Sequence, residues 1–469
     1  MFRFIVLFLA FVFSVTSTAY SSNLDFSVHK LESGVPGNTI LIVGGIQGDE
    51  PGGFNAASII TTHYTIKSGN VWVVPNLNFL SIIKRSRGVY GDLNRKFADI
   101  QESDPEFKTI EKIKSLILND RVDLILNLHD GSGFYRETYI DKLRNPNRWG
   151  QCIIADQDSI ENVKFGNLAE LAASSVDSVN GVLLNPNHNY SYMNTKTREG
   201  NREMAKTLSY FAIRNNKPAF GVEASKSLPT NERAYYHISV IESFMKQLDI
   251  EFERRFALSA DGVKKAINDN VKFALNGSRI VLDVKDARNN LRYIPLKKEE
   301  QIEFSPGNPL MAAVDTGEGY RIYHGNRRVT WLHPQYFEYD TSIGSVEMDV
   351  DGISRQVNFG EILPVKDAFR VHPTSSLRAN VIGFHQKGTV DESGITISKS
   401  SIQRRFSVDK SGTLYRVEFY NKDKFSGMVL VNFSEDALAK EGDGPFNGKE
   451  DGLVGGVNDG SDAHDAHGV

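Results

Sequence analysis

The chain has almost no cysteine. Cys152 stands alone among 469 residues, so no intrachain disulfide is available and a cysteine-built zinc site is excluded. Long apolar runs are equally scarce: after Phe4 to Val15 nothing approaches the roughly 18 continuous apolar residues of a membrane span, and the mature chain is expected to have no transmembrane segment. Neither sign of charge dominates. With 54 Lys and Arg against 58 Asp and Glu, the formal net charge is -4, which gives no reason to expect nucleic acid as a partner. What is present is apolar content, at 40% of residues with 24% charged. That excludes wholesale disorder and leaves room for several cores, at roughly one domain per 150 residues. Cys152, next to an apolar pair, reads as a small buried hydrophobe.

The N-terminus carries an address. Arg3 precedes the apolar run, and Ser17-Thr18-Ala19 follows it with small residues where a signal peptidase reads. Residues 1–19 are therefore expected to be a cleaved signal peptide, with an uncleaved anchor as the alternative.

From Asn38 to about Ile250, β-branched runs alternate with longer helical stretches. The runs are Thr39 to Val43, Val71 to Val74, Val122 to Leu128, Gln151 to Ala155 and Pro218 to Val222. Pro105 to Leu118 and Ile160 to Ser175 read as amphipathic helices, and Ala234 to Arg255 as a closing helix. The pattern predicts an α/β domain built on a mostly parallel, twisted sheet flanked by helices. Beyond it come short alternating strands: Arg279 to Val284, Leu291 to Pro295, Tyr320 to Tyr323, Val329 to Leu332, Ser345 to Val350 and Thr413 to Phe419. These predict two small all-β domains of barrel or sandwich type. The expected division is 20–250, 251–341 and 342–434, followed by a disordered Gly- and Asp-rich tail over 435–469 that contains His464 and His467.

Three of the α/β runs lead into polar groups: Thr39 to Val43 into Gly44-Gly45-Ile46-Gln47-Gly48-Asp49-Glu50, Val122 to Leu128 into His129-Asp130-Gly131, and Pro218 to Val222 into Glu223. Ligands bind outside the carboxyl ends of strands in open α/β sheets, so these groups are expected to meet in one crevice. Gln47, Glu50 and His129 have the types and spacing to hold one metal ion, with a fourth position left for water. Glu223 is then the natural general base, taking a proton from that water and passing it to a leaving amine.

On these residues the chain resembles the zinc carboxypeptidases, or funnelins, over roughly residues 38 to 250. Gln47-Gly48-Asp49-Glu50 stands at the His-x-x-Glu motif and Asp92-Leu93-Asn94-Arg95 at the Asn-Arg motif. His129 stands at the third ligand and Glu223 at the base. Gln47 replaces the family's first histidine with a neutral, weaker amide donor, so weakened metal binding or an inert domain stays open. That glutamine, with the signal peptide and the β domains, is similar to what periplasmic D,L-carboxypeptidases carry. Those enzymes trim peptidoglycan tripeptides to dipeptides and set helical cell shape, and the resemblance implies that the two β domains here are a small β-barrel followed by an immunoglobulin-like sandwich.

The resemblance implies one zinc ion and peptidoglycan stem peptides as substrate, with cell-wall shape-determining proteins as partners of the β domains. Asn94 and Arg95 would grip the substrate's terminal carboxylate, Arg87 would polarise the scissile carbonyl, with Arg85 as the alternative, and Trp149 would wall the pocket. Two other functions remain open: an N-acyl amino acid deacylase of the aspartoacylase type, and a catalytically inert cell-wall binding protein.

Overall fold

The computed structural model describes residues 24–297 and 302–435. The expected signal peptide and all but the first residue of the expected tail lie outside them. Among the described residues no helix is long and apolar enough to cross a membrane.

The first core is built on a seven-stranded sheet. Its strands are β1 (His29–Glu32), β2 (Thr39–Val43), β3 (Asn70–Val74), β4 (Leu124–Gly131), β5 (Cys152–Ala155), β6 (Ser191–Asn194) and β7 (Ala219–Ser225). They lie in the order β1-β3-β2-β4-β7-β5-β6. The centre, β3-β2-β4-β7, is parallel, while β1 and β5 run antiparallel to their inner neighbours. Every residue of β2, β3, β4 and β7 is buried, as a sheet covered on both faces requires. Each fully buried Val, Ile or Leu there stabilises the fold by roughly 1.5–3 kcal/mol.

Helices cover the sheet. α1 (Pro51–His63) opens with proline in its first turn, where the missing N–H costs no hydrogen bond. α2 (Phe79–Lys84) is capped by the Asn78 side chain, which accepts from Ser81 N. α3 (Phe107–Ile117) buries Ile110, Ile113 and Ile117 on one face. α4 (Leu168–Asn180), α5 (Leu208–Arg214), α6 (Thr230–Gln247) and α7 (Ala260–Ile267) complete the layer.

Two expected helices differ. The one expected from Ile160 starts only at Leu168, because Asn162 and Phe165 adopt φ of 58° and 59°, a left-handed conformation that no helix contains. The closing helix ends at Gln247. Asp249, at φ 53°, reverses the chain, and Glu251–Arg254 pairs antiparallel with Tyr64–Ser68.

The remainder is all-β, in one three-stranded and three four-stranded sheets. A second core gathers residues from 271 to 332 and a third residues from 346 to 433. The third lies between two four-stranded sheets, as a sandwich does. The hairpin Leu414–Asn421 with Lys424–Asn432 serves both cores. Leu414, Tyr420, Phe425, Met428 and Leu430 pack into the second, and Tyr415, Val417, Phe419, Val429 and Val431 into the third.

Candidate functional site

The site lies at the carboxyl ends of β2, β4 and β7. After β2, Gly44 to Glu50 folds back beneath α2, and Gly48 sits so close to it that a Cβ would stand 2.0 Å from the Ser81 carbonyl carbon. Only glycine passes there, and the turn aims Gln47 and Glu50 across the sheet toward β4. His129 and Glu223 were expected just past their strands. Instead β4 and β7 continue through them, and the two residues are register partners in the parallel ladder.

Three donor atoms converge. His129 Nδ1 lies 2.9 Å from Glu50 Oε2 and 3.2 Å from Gln47 Oε1. The Gln47 amide is oriented from behind, since its Nε2 donates to Asp92 Oδ1 at 2.7 Å. Asn94 Oδ1 accepts from Leu208 N at 3.0 Å, which turns Asn94 Nδ2 toward His129 Nε2 at 3.2 Å. With its ring proton on Nε2, His129 offers Nδ1 as a neutral nitrogen donor beside the neutral amide oxygen of Gln47 and the carboxylate oxygen of Glu50, a set that suits a divalent ion. Among the described residues no group of three His, Cys, Asp or Glu side chains could hold a metal. Here the third donor is an amide.

Glu50 is gripped on both oxygens. Oε2 also accepts from Asp130 N at 3.1 Å, and Oε1 faces Lys226 Nζ at 3.3 Å and Arg87 Nη1 at 3.7 Å. Asp130 is buried and accepts from Gly52 N at 2.8 Å, with Arg233 at 3.0 Å and His237 at 3.1 Å. Burial would raise its pKa, but His237 and Arg233 hold it below the usual carboxylate range. Glu223 is the opposite case. Burial, then the charges of Glu50 and Asp130, push its carboxyl well above that range against Lys226 and Arg87, and its Oε2 has no hydrogen-bond partner.

Arg87, about half exposed, donates from Nε to Asp92 at 2.9 Å. Burial lowers its pKa, but the carboxylates of Asp92 and Glu50 outweigh this and raise it. Arg95 donates to Asn94 O at 3.1 Å and lies 3.8 Å from Glu203. Both arginines, Asn94 and Trp149 line one cleft of about 340 Å³ together with Gln47, Glu50, His129 and Glu223. Arg85 does not. It caps α2 at φ 54°, and this left-handed turn sends its Nε to Asn326 O at 2.7 Å, away from the cleft.

Residues 6–268 match the family described as carboxypeptidases controlling helical cell shape, catalytic domain, and residues 339–434 match the C-terminal domain of metallo-carboxypeptidases. The chain belongs to this family of cell-shape carboxypeptidases. Among solved structures it is similar to the apo cell shape determinant protein Csd4 from Helicobacter pylori, at 39% identity and a TM-score of 0.79, over 87% of this chain and 100% of that one. The tripeptide-bound form of Csd4 gives 39% and 0.78 over the same shares. The mDAP-bound form, described as a D,L-carboxypeptidase, gives 40% and 0.78 over 85% of this chain and 97% of that one. No curated protein matches the chain.

This metallocarboxypeptidase holds three further cleft residues that the motifs did not reveal. Lys226 bonds Asp49 at 2.8 Å besides facing Glu50, and although burial lowers its pKa, those carboxylates raise it overall. Asp130 anchors Glu50 through its own backbone. Asp156, at 1% exposure, accepts from Thr195 at 2.9 Å and Thr197 at 2.5 Å, while its Oδ2 has no partner and burial raises its pKa. Lys226 lies three residues beyond Glu223 and Asp130 adjoins His129, so proximity to the motifs was their only sequence signal. Cys152 is buried and its thiol pKa is pushed up, in keeping with a packing role.

Proposed function

We propose that the protein is a zinc-dependent D,L-carboxypeptidase of the periplasm that trims peptidoglycan stem peptides from tripeptide to dipeptide, releasing the terminal diamino acid. The observation that carries this is the convergence of Gln47 Oε1, Glu50 Oε2 and His129 Nδ1 beside a buried Glu223. Similarity to Csd4, solved with a tripeptide and with mDAP and described as a D,L-carboxypeptidase, supports the substrate.

In this reading Gln47, Glu50 and His129 hold the zinc ion, and Asp92 fixes the amide of Gln47 so that its oxygen faces the ion. When bound, zinc supplies Lewis acidity, which lowers the pKa of water and polarises a carbonyl. Glu223 accepts the proton of the attacking water and delivers it to the departing amine, a transfer that its place in the cleft beside the three ligand residues allows. Asn94 and Arg95 bind the terminal carboxylate, for which a guanidinium offers parallel donors. Arg87 faces the carbonyl oxygen as negative charge develops there, and Trp149 walls the cleft. Residues 20–267 make up the catalytic domain, a boundary supported by the packing of Val263 and Ala266 in its core, with 268–341 and 342–434 as β domains that meet shape-determining partners. Export follows from the Arg3 to Ala19 segment, with a mature N-terminus near Tyr20.

The test is mass spectrometry of muropeptides digested by the purified protein, with and without a chelator. Conversion of tripeptide to dipeptide that stops on chelation is expected. Persistence of the tripeptide in a zinc-loaded sample rejects the assignment.

A further inference from the structure

The β half of the chain holds a cleft larger than the catalytic one, at about 840 Å³, a volume within the roughly 300–1,000 Å³ of ligand sites. Its walls come from the strands Asn290–Leu296, Arg378–Val381 and Leu414–Asn421 and from the turn around Arg405 to Val408, and it shares no lining residue with the catalytic cleft.

Its lining carries Arg288, Arg292, Arg378, Arg405 and Arg416 against Glu418 and Asp423. Two of the arginines are committed to the fold. Arg288 donates to Ser407 O at 2.9 Å and Arg404 O at 2.8 Å. Arg416 is buried and pairs with Glu418 at 3.1 Å, and Glu418 also accepts from the Tyr420 hydroxyl at 2.7 Å. The other three guanidinium groups make no hydrogen bond or ion pair with any described residue. Arg378 lies over the Tyr420 ring at 4.8 Å and Arg405 over the Phe406 ring at 4.9 Å, which leaves their N–H edges unused.

The wall bearing Arg292 is shaped for this. Consecutive side chains of a strand face opposite sides, yet Arg292 and Tyr293 both line the cleft. A bulge between Arg292 and Ile294 interrupts pairing with Arg327–Tyr336, and Tyr293 sits there at φ 55°, a left-handed conformation costly for a bulky residue. Buried Arg416 holds it in place by donating to Tyr293 O and Arg292 O, both at 3.1 Å. Strain maintained by a dedicated buried charge, and a bulge that redirects side chains, are features of binding sites.

We propose that this cleft is a second, non-catalytic site for a carboxylate-bearing peptide, and that its occupant is a stem peptide of polymeric peptidoglycan. The identity of the occupant rests on the substrate reading above. Three unpaired guanidinium groups supply forked donors for carboxylates, and the interleaved rings of Tyr293, Phe406 and Tyr420 supply apolar faces for the alkyl parts of a peptide. Holding one stem here raises the effective concentration of neighbouring stems at the catalytic cleft, an advantage that exists on the polymer and not on free tripeptide.

The experiment sediments purified peptidoglycan sacculi with zinc-loaded Glu223→Gln protein and with the same protein carrying Arg292→Ser and Arg405→Ser. The double arginine change should weaken retention roughly tenfold or more. Introduced with Glu223 intact, it should leave kcat/KM on soluble tripeptide unchanged, which also shows that the protein is folded. Sacculi whose carboxyl groups have been amidated should retain the Glu223→Gln protein no better than the triple variant is retained on untreated sacculi. Equal sedimentation with and without the two arginines, or full retention on amidated sacculi, overturns the proposal. Failure to cleave free tripeptide would instead count against the catalytic assignment, because retention is read without turnover.

Discussion

Glu223 and His129 face each other across the β4–β7 ladder as register partners, so an imidazole and a carboxylate project from the same side of the sheet at the same level. Parallel pairing fixes this relation independently of any loop. In the proposed mechanism the base and one metal donor both stand on strands, which holds such a site more rigidly than flexible connections would.

Glu223→Gln should therefore leave the fold and bound zinc in place and remove most turnover, because an amide cannot take a proton from water. General acid and base groups contribute typically 10²–10⁴-fold, and a loss of about that size in kcat is expected. The measurement is kcat on tripeptide beside zinc content and melting temperature. Near-normal turnover in a folded, loaded variant places the base elsewhere.

Gln47→His puts a ring nitrogen in place of the amide oxygen, and zinc should stay bound as tightly as before or more so. Gln47→Ala leaves two protein donors and should release zinc. Asp92→Ala should lie between them, since it frees the amide that Asp92 orients at 2.7 Å. Elemental analysis after identical dialysis against a weak chelator ranks the four proteins. Equal retention throughout excludes Gln47 as a ligand.

Arg95→Ala should raise KM for peptides with a free C-terminus and lower kcat/KM roughly tenfold to a hundredfold, as expected for losing a hydrogen bond between charged groups. Peptides amidated at the C-terminus should already be poor substrates of the unaltered enzyme. Comparable cleavage of both forms would make this an endopeptidase.

Acid should weaken the second core through His324. It is buried, its Nε2 has no hydrogen-bond partner, and Arg327 stands 3.2 Å from Nδ1. Burial first, then the charge of Arg327, hold its pKa down at about 4, against about 6.5 in the unfolded chain. The folded state thus binds fewer protons between these values. The contribution is complete above about pH 6.5 and lost as pH falls toward 4, by about 3 kcal/mol at most. Urea unfolding of wild type and His324→Gln from pH 7 to 4 should show a shallower decline for the variant. Parallel declines refute the assignment to His324.

Much of the catalytic half was legible because its signals are local. Runs such as Ile40 to Val43 are apolar and buried throughout, and residues at or just past the ends of these runs line the cleft. What escaped depends on backbone geometry or distant contacts. Asn162, Phe165 and Asp249 interrupt helical periodicity with left-handed conformations, which Asn and Asp tolerate without requiring and Phe does not announce. Arg85 and Arg87 are equivalent as letters, and only the turn at Arg85 separates a cleft residue from one bonded to Asn326. Asp156 meets Thr195 and Thr197 across 39 and 41 positions. The cationic cleft draws on segments from Arg288 to Asp423, a separation that motif reading does not span.

The hairpin shared by the second and third cores dictates an order of assembly. A chain emerging from the ribosome or a translocation pore delivers residues 271 to 332 long before Leu414 to Asn432. Until those last strands arrive, the middle unit lacks Leu414, Tyr420, Phe425, Met428 and Leu430 from its interior. The middle and final units therefore finish folding together, while the main core of the catalytic half draws on nothing beyond Ile267 and only its small cluster around Phe54, Phe79 and Ile82 waits for Leu310 and Ala312.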